Sequence, residues 1–345
     1  MNLIPRIPQA ILGQRGMAGN RSHARPARRT PAHRATNTST AFLLSTLLCL
    51  CLVGSTIHLP GSAMAAATQA GQNNGPLRIV MSAAFVADSG IDIYAQISRY
   101  LENKLDRKIE FVTGFSYDTI NQMLTSGLAD IGFVCGLPYI LEHDLAQPHV
   151  ELLLAPVMKD SRYQNKPIYF SYIIVHKDST INSFAELKGK RFVFNDEISN
   201  SGYNMPRAHL IKTGETGGFF SQTLRSGSHE ESIRMVALGK ADTSAIDSLV
   251  YDYEIFRQQE HAQKTRIIKT LGPAGIPPIV VSSKVPLVLR QKIRAVFLDM
   301  NNDPAGRKIL ESALLDRFAN VDDSNYDGIR KMYTLAQDTG YMVIK

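Results

Sequence analysis

A short pattern occurs twice in this chain of 345 residues, and it constrains the fold more than any other feature. Residues 123–134 read MLTSGLADIGFV and residues 235–246 read MVALGKADTSAI, so both follow Met-x-x-x-Gly-x-Ala-Asp-x-x-x-apolar. Each copy is typical of a helix end, a turn at a glycine and a buried strand. A match of this length can arise by chance. It nevertheless favours two similar α/β lobes, each with its own sheet.

Hydrophobic spacing around the first copy predicts the same architecture. Residues 77–81 (LRIVM) indicate a buried strand, and the apolar positions of residues 91–105 repeat at helical spacing. Residues 109–112 and 131–134 indicate two more strands. Strands that alternate with helices predict a parallel sheet joined by crossover helices.

A second helix–strand series runs from Tyr203 to Asp247, and prolines at 273, 277 and 278 interrupt the chain after it. We therefore expect an α/β protein with two lobes that face each other across a cleft. The expected division assigns residues 76–170 and 277–345 to lobe I, and residues 171–276 to lobe II.

The first 65 residues predict a secretory signal peptide. They contain seven arginines and no acidic residue, followed by the uncharged stretch Ala41–Val53 and the small-x-small sequence Ala63-Met64-Ala65. The alternative is a membrane anchor, but the apolar stretch is shorter than the ~20 residues that span a bilayer. We expect cleavage near Ala65 and a periplasmic mature protein.

Removal of this segment changes the charge balance. The whole chain has 38 Lys and Arg residues against 31 Asp and Glu residues, so without seven arginines the two signs are equal. A formally neutral protein is a poor binder of a phosphate backbone, so no nucleic acid partner is expected. Cleavage also removes Cys49 and Cys51, which leaves Cys135 as the single cysteine and excludes an intramolecular disulfide.

The two copies of the pattern also place candidate functional residues. Continuing their register aligns Cys135 with Asp247 and Tyr139 with Tyr251. Both Cys135 and Asp247 would then lie just beyond the C-terminal end of a parallel strand. Ligands of open α/β sheets bind at that edge.

The segment 195–210 (NDEISNSGYNMPRAHL) predicts a strand end, a small polar loop and a helix start. Backbone N–H groups at such a start, with hydroxyls beside them, can hold an oxyanion. The candidate residues are Ser199, Asn200, Ser201, Gly202 and Tyr203. An ordinary N-capped helix is the alternative interpretation of this segment alone.

A second motif, SGSHEES, places His229 in the first turn of a helix that Ser228 and Glu231 begin as a capping box. That position favours a neutral imidazole that hydrogen-bonds an anion. Asp247 follows the next strand, and a carboxylate suits an anion site only if the ligand brings a proton. Asp196 and Glu197 flank the loop as well, which disfavours a fully charged dianion.

Aromatic residues complete the candidate set. Tyr117 begins a helix, Tyr139 follows Cys135-Gly136-Leu137-Pro138, and Phe85 follows the first strand. Each of them, taken singly, is more typical of packing than of ligand contact.

Together these motifs resemble the phosphonate-binding type of periplasmic solute-binding protein, which also includes phosphite and phosphate binders. The resemblance covers the mature chain from Leu77 onward. It is carried by the following segments: the loop 199–203, the SGSHE sequence with His229, Asp247 in AIDS, and Tyr117. It implies a type II fold with a hinge and a central cleft. It also implies a small oxyanion ligand and a membrane partner, either an ABC permease or a sensor histidine kinase.

One position bears on the ligand. Many transport members carry an aromatic or small residue where Cys135 stands, and here the sequence is similar to an arsenite-binding branch that works with sensor kinases. A thiol is a soft ligand for trivalent arsenic, so Cys135 is a metalloid candidate. The sequence interpretation therefore favours arsenite narrowly over phosphonate, phosphite or phosphate. A small buried cysteine is the alternative.

Other classes of function are disfavoured. A hydrolase that used Ser201, His229 and Asp247 would be expected to carry a Gly-x-Ser-x-Gly elbow, which the sequence lacks. The histidines show no metal-ligand spacing with Cys135. We therefore expect a monomeric binding protein that is not an enzyme and has no cofactor or metal.

Overall fold

The computed structural model describes residues 75–82 and 90–345. The predicted signal peptide and Phe85 lie outside the described residues. None of the helices in these two segments combines the length and apolar character needed to cross a bilayer.

The strands and helices of these residues alternate along the first half of the chain, as the hydrophobic spacing predicts. The strands are β1 Leu77–Ser82, β2 Ile109–Phe115, β3 Ile131–Phe133, β4 Val150–Met158, β5 Ile168–His176, β6 Arg191–Phe194, β7 Gln222–Arg225, β8 Thr243–Asp247, β9 Thr265–Gly275, β10 Ile279–Ser282 and β11 Leu315–Ala319. The helices are α1 Ile91–Leu105, α2 Tyr117–Ser126, α3 Gly136–His143, α4 Met205–Lys212, α5 His229–Ala237, α6 Ser248–Phe256, α7 Glu260–Gln263, α8 Leu287–Asp299, α9 Pro304–Ser312 and α10 Asp327–Asp338. A single π-helical turn, Asn200–Asn204, precedes α4.

The strands form two separate sheets. The first has the order β11-β4-β10-β3-β1-β2, and the second has the order β7-β6-β8-β5-β9. In the first sheet β1 pairs in parallel with β2 and β3, and in the second β6 pairs in parallel with β7 and β8. The expectation of two α/β lobes, each with its own sheet, is confirmed.

Both sheets also contain antiparallel strands, which the expectation of a parallel sheet did not include. Strand β10 is antiparallel to β3 and β4, and β5 is antiparallel to β8 and β9. Both strands follow a passage of the chain from one sheet to the other, so each enters its sheet from the opposite end. The two passages, β4 to β5 and β9 to β10, lie side by side, because Ile276 donates its N–H to the carbonyl of Pro167 at 3.1 Å.

The repeated pattern has the same conformation in both lobes. Helix α2 is followed by Gly127 with φ of +76°, and the turn after α5 contains Gly239 with φ of +69°. Left-handed backbone of this kind is open to glycine at little cost, which explains the shared glycine. Asp130 and Asp242 then each accept a hydrogen bond of 2.8 Å from the backbone N–H of an arginine on the adjacent strand, β1 or β6.

The last residues of the chain pack against the second sheet. Tyr341 and Ile344 are buried in its core, and Phe219 donates its N–H to the carbonyl of Lys345 at 2.8 Å. Helix α10, which leads to them, packs against α3 on one side and α4 on the other. We propose the lobe division of residues 76–170 with 277–345 and residues 171–276, with this C-terminal segment reaching across to lobe II.

Candidate functional site

The π-helical turn Asn200–Asn204 begins directly after the loop that follows strand β6. Ser199 caps it, because its Oγ accepts the N–H of Gly202 at 3.0 Å, and its carbonyl accepts the N–H of Asn204 at 2.9 Å. A Cβ on Gly202 would overlap Oδ1 of Asn195 and come within 3.0 Å of Ser199 Oγ. The close packing of this turn therefore requires glycine, and of its N–H groups that of Asn200 contacts lobe I, at Cys135.

Asn200 connects this turn to Cys135 of lobe I and to strand β5. Its N–H lies 3.4 Å from Sγ of Cys135, and its Nδ2 donates to the hydroxyl of Tyr169 at 2.9 Å. The next carbonyl, that of Ser201, accepts the hydroxyl of Ser171 at 2.7 Å. The turn is thus held by side chains of strand β5, and it meets the thiol across the interlobe boundary.

His229 is the first residue of α5, as the capping-box motif predicts. Ser228 Oγ accepts the N–H of Glu231 at 3.1 Å. His229 Nδ1 lies 3.4 Å from the backbone nitrogen of Asp247, and Nε2 lies 3.4 Å from Ser201 Oγ. A backbone N–H only donates, so this contact assigns Nδ1 as the acceptor and places the proton of the neutral ring on Nε2.

The charge state of His229 follows from its burial. The side chain is buried, and desolvation lowers its pKa from 6.5 to about 3. The ring is therefore neutral at physiological pH and offers Nε2–H as a donor toward Ser201.

Asp247 ends strand β8 and caps helix α6. Its Oδ1 accepts the N–H of Leu249 at 2.8 Å, whereas Oδ2 is buried without a hydrogen-bond partner among the described residues. Burial raises the pKa of this carboxyl from 3.8 to about 8. At neutral pH the group is mostly protonated, so it can donate to an anion instead of repelling it.

Cys135 occupies the matching position in lobe I, where it precedes α3. The side chain is 1% exposed, and burial raises the pKa of the thiol to about 11. Hydrogen bonds from the N–H groups of Asn200 and Leu137 and from the hydroxyl of Tyr117 oppose this rise. The group is therefore a neutral thiol at physiological pH, among three donors. The Tyr117 hydroxyl also accepts Nδ2 of Asn195 at 3.4 Å.

These residues form one enclosed cluster, which we call the polar ring. Its members are Tyr117 and Cys135 from lobe I, and Ser199, Asn200, Ser201, Gly202, His229 and Asp247 from lobe II; all are buried. Neither lysine nor arginine is among them. Asp196 and Glu197, which flank the turn, bond with Arg225 at 2.6 and 3.2 Å, so their charges are offset there and bear less on the ligand than the sequence suggested.

Two predicted site residues are not brought to the ring. Tyr139 lies in a lobe I core cluster, where its hydroxyl donates to Asp323 Oδ1 at 2.7 Å. Tyr203 packs on Phe194 in the core of lobe II, and its hydroxyl accepts the N–H of Ile344 at 2.9 Å. In both cases the backbone is next to the ring while the side chain fills a core on the other side of its element.

Sequence reasoning missed Tyr169 and Ser171. Both lie on strand β5, and residues two apart on a strand share a face. Their hydroxyls hold Asn200 and Ser201, as described above. The sequence Tyr169-Phe170-Ser171 places two hydroxyls on one face of the strand, and this was a signal for a polar face. Which residues that face contacts depends on the strand order β6-β8-β5.

The sequence profile of the family described as "ABC transporter, phosphonate, periplasmic substrate-binding protein" matches residues 79–326, which is well over half of the chain. This chain belongs to that family. The resemblance found in its motifs is confirmed, and its family is one of solute-binding proteins, not of enzymes.

Individual relatives of this phosphonate-binding family member are distant. The chain is 27% identical over 180 residues to the phosphate-import protein PhnD of Mycolicibacterium smegmatis. It is 26% identical over 216 residues to the phosphonates-binding periplasmic protein of Escherichia coli. These alignments cover 49% and 61% of this chain, and 55% and 62% of the two relatives.

Solved structures establish the type II fold. A binding protein component of an ABC phosphonate transporter from Pseudomonas aeruginosa aligns with a TM-score of 0.69 at 20% identity, over 77% of this chain and 88% of that one. PhnD1 from Prochlorococcus marinus, in complex with methylphosphonate, aligns with a TM-score of 0.68 at 18% identity. That alignment covers 78% of this chain and 99% of the other.

Across the part of the chain that the structure describes, no three His, Cys, Asp or Glu side chains are grouped in a way that could hold a metal ion. The relatives above are named for phosphonate or phosphate, so the narrow preference for arsenite and a sensor kinase gains no support from them. It stays a prediction that rests on Cys135.

Proposed function

We propose that the mature protein is periplasmic, captures a small oxyanion of the phosphonate, phosphite or phosphate type in the polar ring, and presents it to the permease of an ABC transporter. One observation carries this proposal. The buried Oδ2 of Asp247 lacks a partner among the described residues, and a neutral histidine and the N-terminal end of a helix lie beside it. A buried polar atom without a partner is costly, and a bound oxyanion supplies that partner.

The donors of the ring suit a partly protonated anion. Each hydrogen bond to a charged group contributes ~1.5–3 kcal/mol, so four such bonds supply ~6–12 kcal/mol, which is comparable with the ~8 kcal/mol of a micromolar site before ordering costs. A dianion would need a full counter-charge to offset its desolvation, and the ring has no cationic member. One proton shared between Asp247 and the ligand lets a monoanion be buried without repulsion.

Residues from both lobes must meet for the ring to be complete. Cys135 and Tyr117 come from lobe I, whereas the turn, His229 and Asp247 come from lobe II. A ligand that contacts both sets stabilises the closed arrangement by its differential affinity for it. The two strand passages between the sheets are the proposed hinge.

Replacement of Ser201 by alanine is expected to weaken binding of methylphosphonate about tenfold or more, because one hydrogen bond to the anion is lost. Isothermal titration calorimetry on the mature protein measures this change. Ser221→Ala is the matched control, since Ser221 is exposed on the same lobe. Equal affinities of wild type and Ser201→Ala would contradict the placement of the ligand.

Arsenite is the second candidate, and Cys135 is the observation that favours it. Arsenous acid is mostly uncharged at neutral pH, as a ring without a cation prefers. Its As–OH bond can exchange for an As–S bond with the thiol: the thiol proton leaves with the hydroxyl as water, and no oxidation occurs. This ligand would fit presentation to a sensor histidine kinase instead of a permease.

Arsenite at a saturating concentration is expected to raise the melting temperature of the wild type, and Cys135→Ser is expected to abolish the rise. Methylphosphonate should stabilise both proteins if the phosphonate proposal holds. Equal stabilisation of wild type and Cys135→Ser by arsenite would exclude the thiol as its ligand. The absence of any response to arsenite in the wild type would remove this candidate.

A further inference from the structure

Arg207, in the first turn of α4, is a buried cation whose hydrogen bonds go to neutral oxygens. Its side chain is 2% exposed, and burial lowers the pKa of the guanidinium. Nη2 donates to Oδ1 of Asn204 at 2.8 Å, Nη1 donates to the carbonyl of Met342 at 2.9 Å, and Nε is buried without a partner among the described residues. A guanidinium keeps its charge in proteins. The rings of Tyr203 and Tyr333, 5.5 and 5.7 Å from it, offset part of the cost of burying that charge.

A chain of hydrogen bonds leads from this cation to the polar ring. Arg207 donates to Asn204, whose Nδ2 donates to Oδ1 of Asn200 at 3.1 Å. Nδ2 of Asn200 then donates to the hydroxyl of Tyr169 at 2.9 Å. Every bond of the chain donates in the same direction, and bonds in such a chain polarise one another. Because the last acceptor is a hydroxyl oxygen, the proton of that hydroxyl is left to donate onward.

Arg207 has the largest part in fixing this direction. An asparagine amide can turn around and exchange its donor for its acceptor, whereas a guanidinium can only donate. Oδ1 of Asn204 must therefore face Arg207, and this places Nδ2 toward Asn200. The carbonyl of Ile329 accepts the same Nδ2, but at 3.4 Å and without the help of a charge. If Asn204 turned around, Asn200 would turn as well, and the hydroxyl of Tyr169 would donate back into the chain.

The hydroxyl of Tyr169 lies beside members of the ring. Burial, and after it the nearby Cys135 and Asp247, hold the pKa of this hydroxyl well above its ordinary value of 10. Ser201 hydrogen-bonds the same hydroxyl and opposes the rise, as does Asn200. Tyr169 therefore keeps its proton at neutral pH, at a place where an anion in the ring can accept it.

We propose that Arg207 is a positioning residue for the ligand: acting through the two asparagines, it holds the hydroxyl of Tyr169 as a hydrogen-bond donor to the bound anion. This inference rests on the proposed function, because an anion must occupy the polar ring. The ring has no cationic member, and Arg207 supplies it with positive polarisation from a distance. Because the carbonyl of Met342 accepts the same guanidinium, the C-terminal segment takes part in placing it.

A double-mutant cycle tests this role by titration calorimetry with methylphosphonate. Arg207→Met and Tyr169→Phe are each expected to weaken binding about tenfold, because one hydrogen bond to the anion is lost. The double variant is expected to lose about tenfold as well, since both changes remove the same donor. Lys212→Met, which removes an exposed cation from the same helix, is the matched control and should bind as the wild type does.

Two results of the cycle would overturn the role of Arg207. A double variant that loses about 100-fold would mean that Arg207 and Tyr169 act independently, as expected if the arginine only stabilises the fold. An Arg207→Met protein that binds as tightly as the wild type would show that the chain does not need its cation.

A measurement on the wild type keeps the proposal testable even if Arg207→Met does not fold. In protein labelled with ¹³C at the tyrosine Cζ atoms, the NMR signal that Tyr169→Phe removes belongs to Tyr169. This signal should move when methylphosphonate saturates the wild type, because the hydroxyl then donates to an anion. A wild type that binds while this signal stays in place overturns the role of Arg207 alone. If the wild type does not bind methylphosphonate, the proposed function falls together with it.

Discussion

Gly202→Ala is expected to reduce ligand affinity by about 10- to 100-fold. The added methyl group overlaps Oδ1 of Asn195 inside a turn that is buried on all sides, so the turn has to shift before the chain can pack. Overpacking of this kind costs ~1–3 kcal/mol. Because the same turn carries Asn200 and Ser201 of the ring, the shift of the turn should weaken ligand binding as well as stability.

The measurement is a calorimetric titration with methylphosphonate, together with a thermal melt of the free protein. Gly217→Ala is the matched control, since a Cβ at Gly217 meets no atom within 4 Å. We expect the control to bind as the wild type does. A Gly202→Ala protein that is folded and binds within threefold of the wild type would show that the turn does not hold the ligand.

Asp247→Asn is expected to remove a pH dependence of stability in the ligand-free protein. The pKa of Asp247 is raised from 3.8 to about 8, so between these values the folded protein holds a proton that the unfolded chain has released. Its free energy of unfolding therefore falls by ~1.4 kcal/mol per unit as the pH rises through this range.

His229 acts in the opposite direction. Its pKa is lowered from 6.5 to about 3, so below pH 6.5 the unfolded chain takes up a proton that the folded protein does not. Stability is then lost as the pH falls. The two effects cancel between about pH 4 and 6.5, and from pH 6.5 to 8 the aspartic acid alone lowers the stability, by ~2 kcal/mol.

Urea unfolding at several values between pH 5.5 and 8.5 checks this expectation. The wild type should lose ~2 kcal/mol from pH 6.5 to 8, and Asp247→Asn, which keeps the hydrogen bond to Leu249, should lose far less. Asp338→Asn, at an exposed position, is the control and should behave as the wild type. The same slope in wild type and Asp247→Asn would mean that Asp247 is ionised when the protein is folded.

Local sequence patterns predicted much of the fold. The repeated pattern, the glycine turns and the helix start at His229 depend on contacts within a few residues, and all are observed. The antiparallel entry of β5 and β10 was not predicted, because it depends on where the chain passes between the lobes. Such long-range pairing leaves little trace in local periodicity.

The candidate site shows the same division between local and long-range information. Four residues of the ring follow strands or begin helices: Cys135, Ser201, His229 and Asp247. The rule that ligands bind at strand ends therefore predicts that they lie close together. Tyr139 and Tyr203 lie beside the ring in sequence, but their side chains enter cores whose other walls come from residues 323–344. The direction of a side chain on a short helix depends on those distant partners.

The C-terminal segment has a mechanical consequence for the closing motion. In the described residues the chain joins the two sheets at three places: the β4–β5 passage, the β9–β10 passage, and helix α10 with the residues that follow it. Two adjacent strands alone would permit both bending and torsion between the halves. A third attachment, sealed by Ile344 on Tyr203 and by Met342 on Arg207, opposes torsion. The two lobes can then rotate easily about one axis only. All contacts around a bound ligand therefore form or break together.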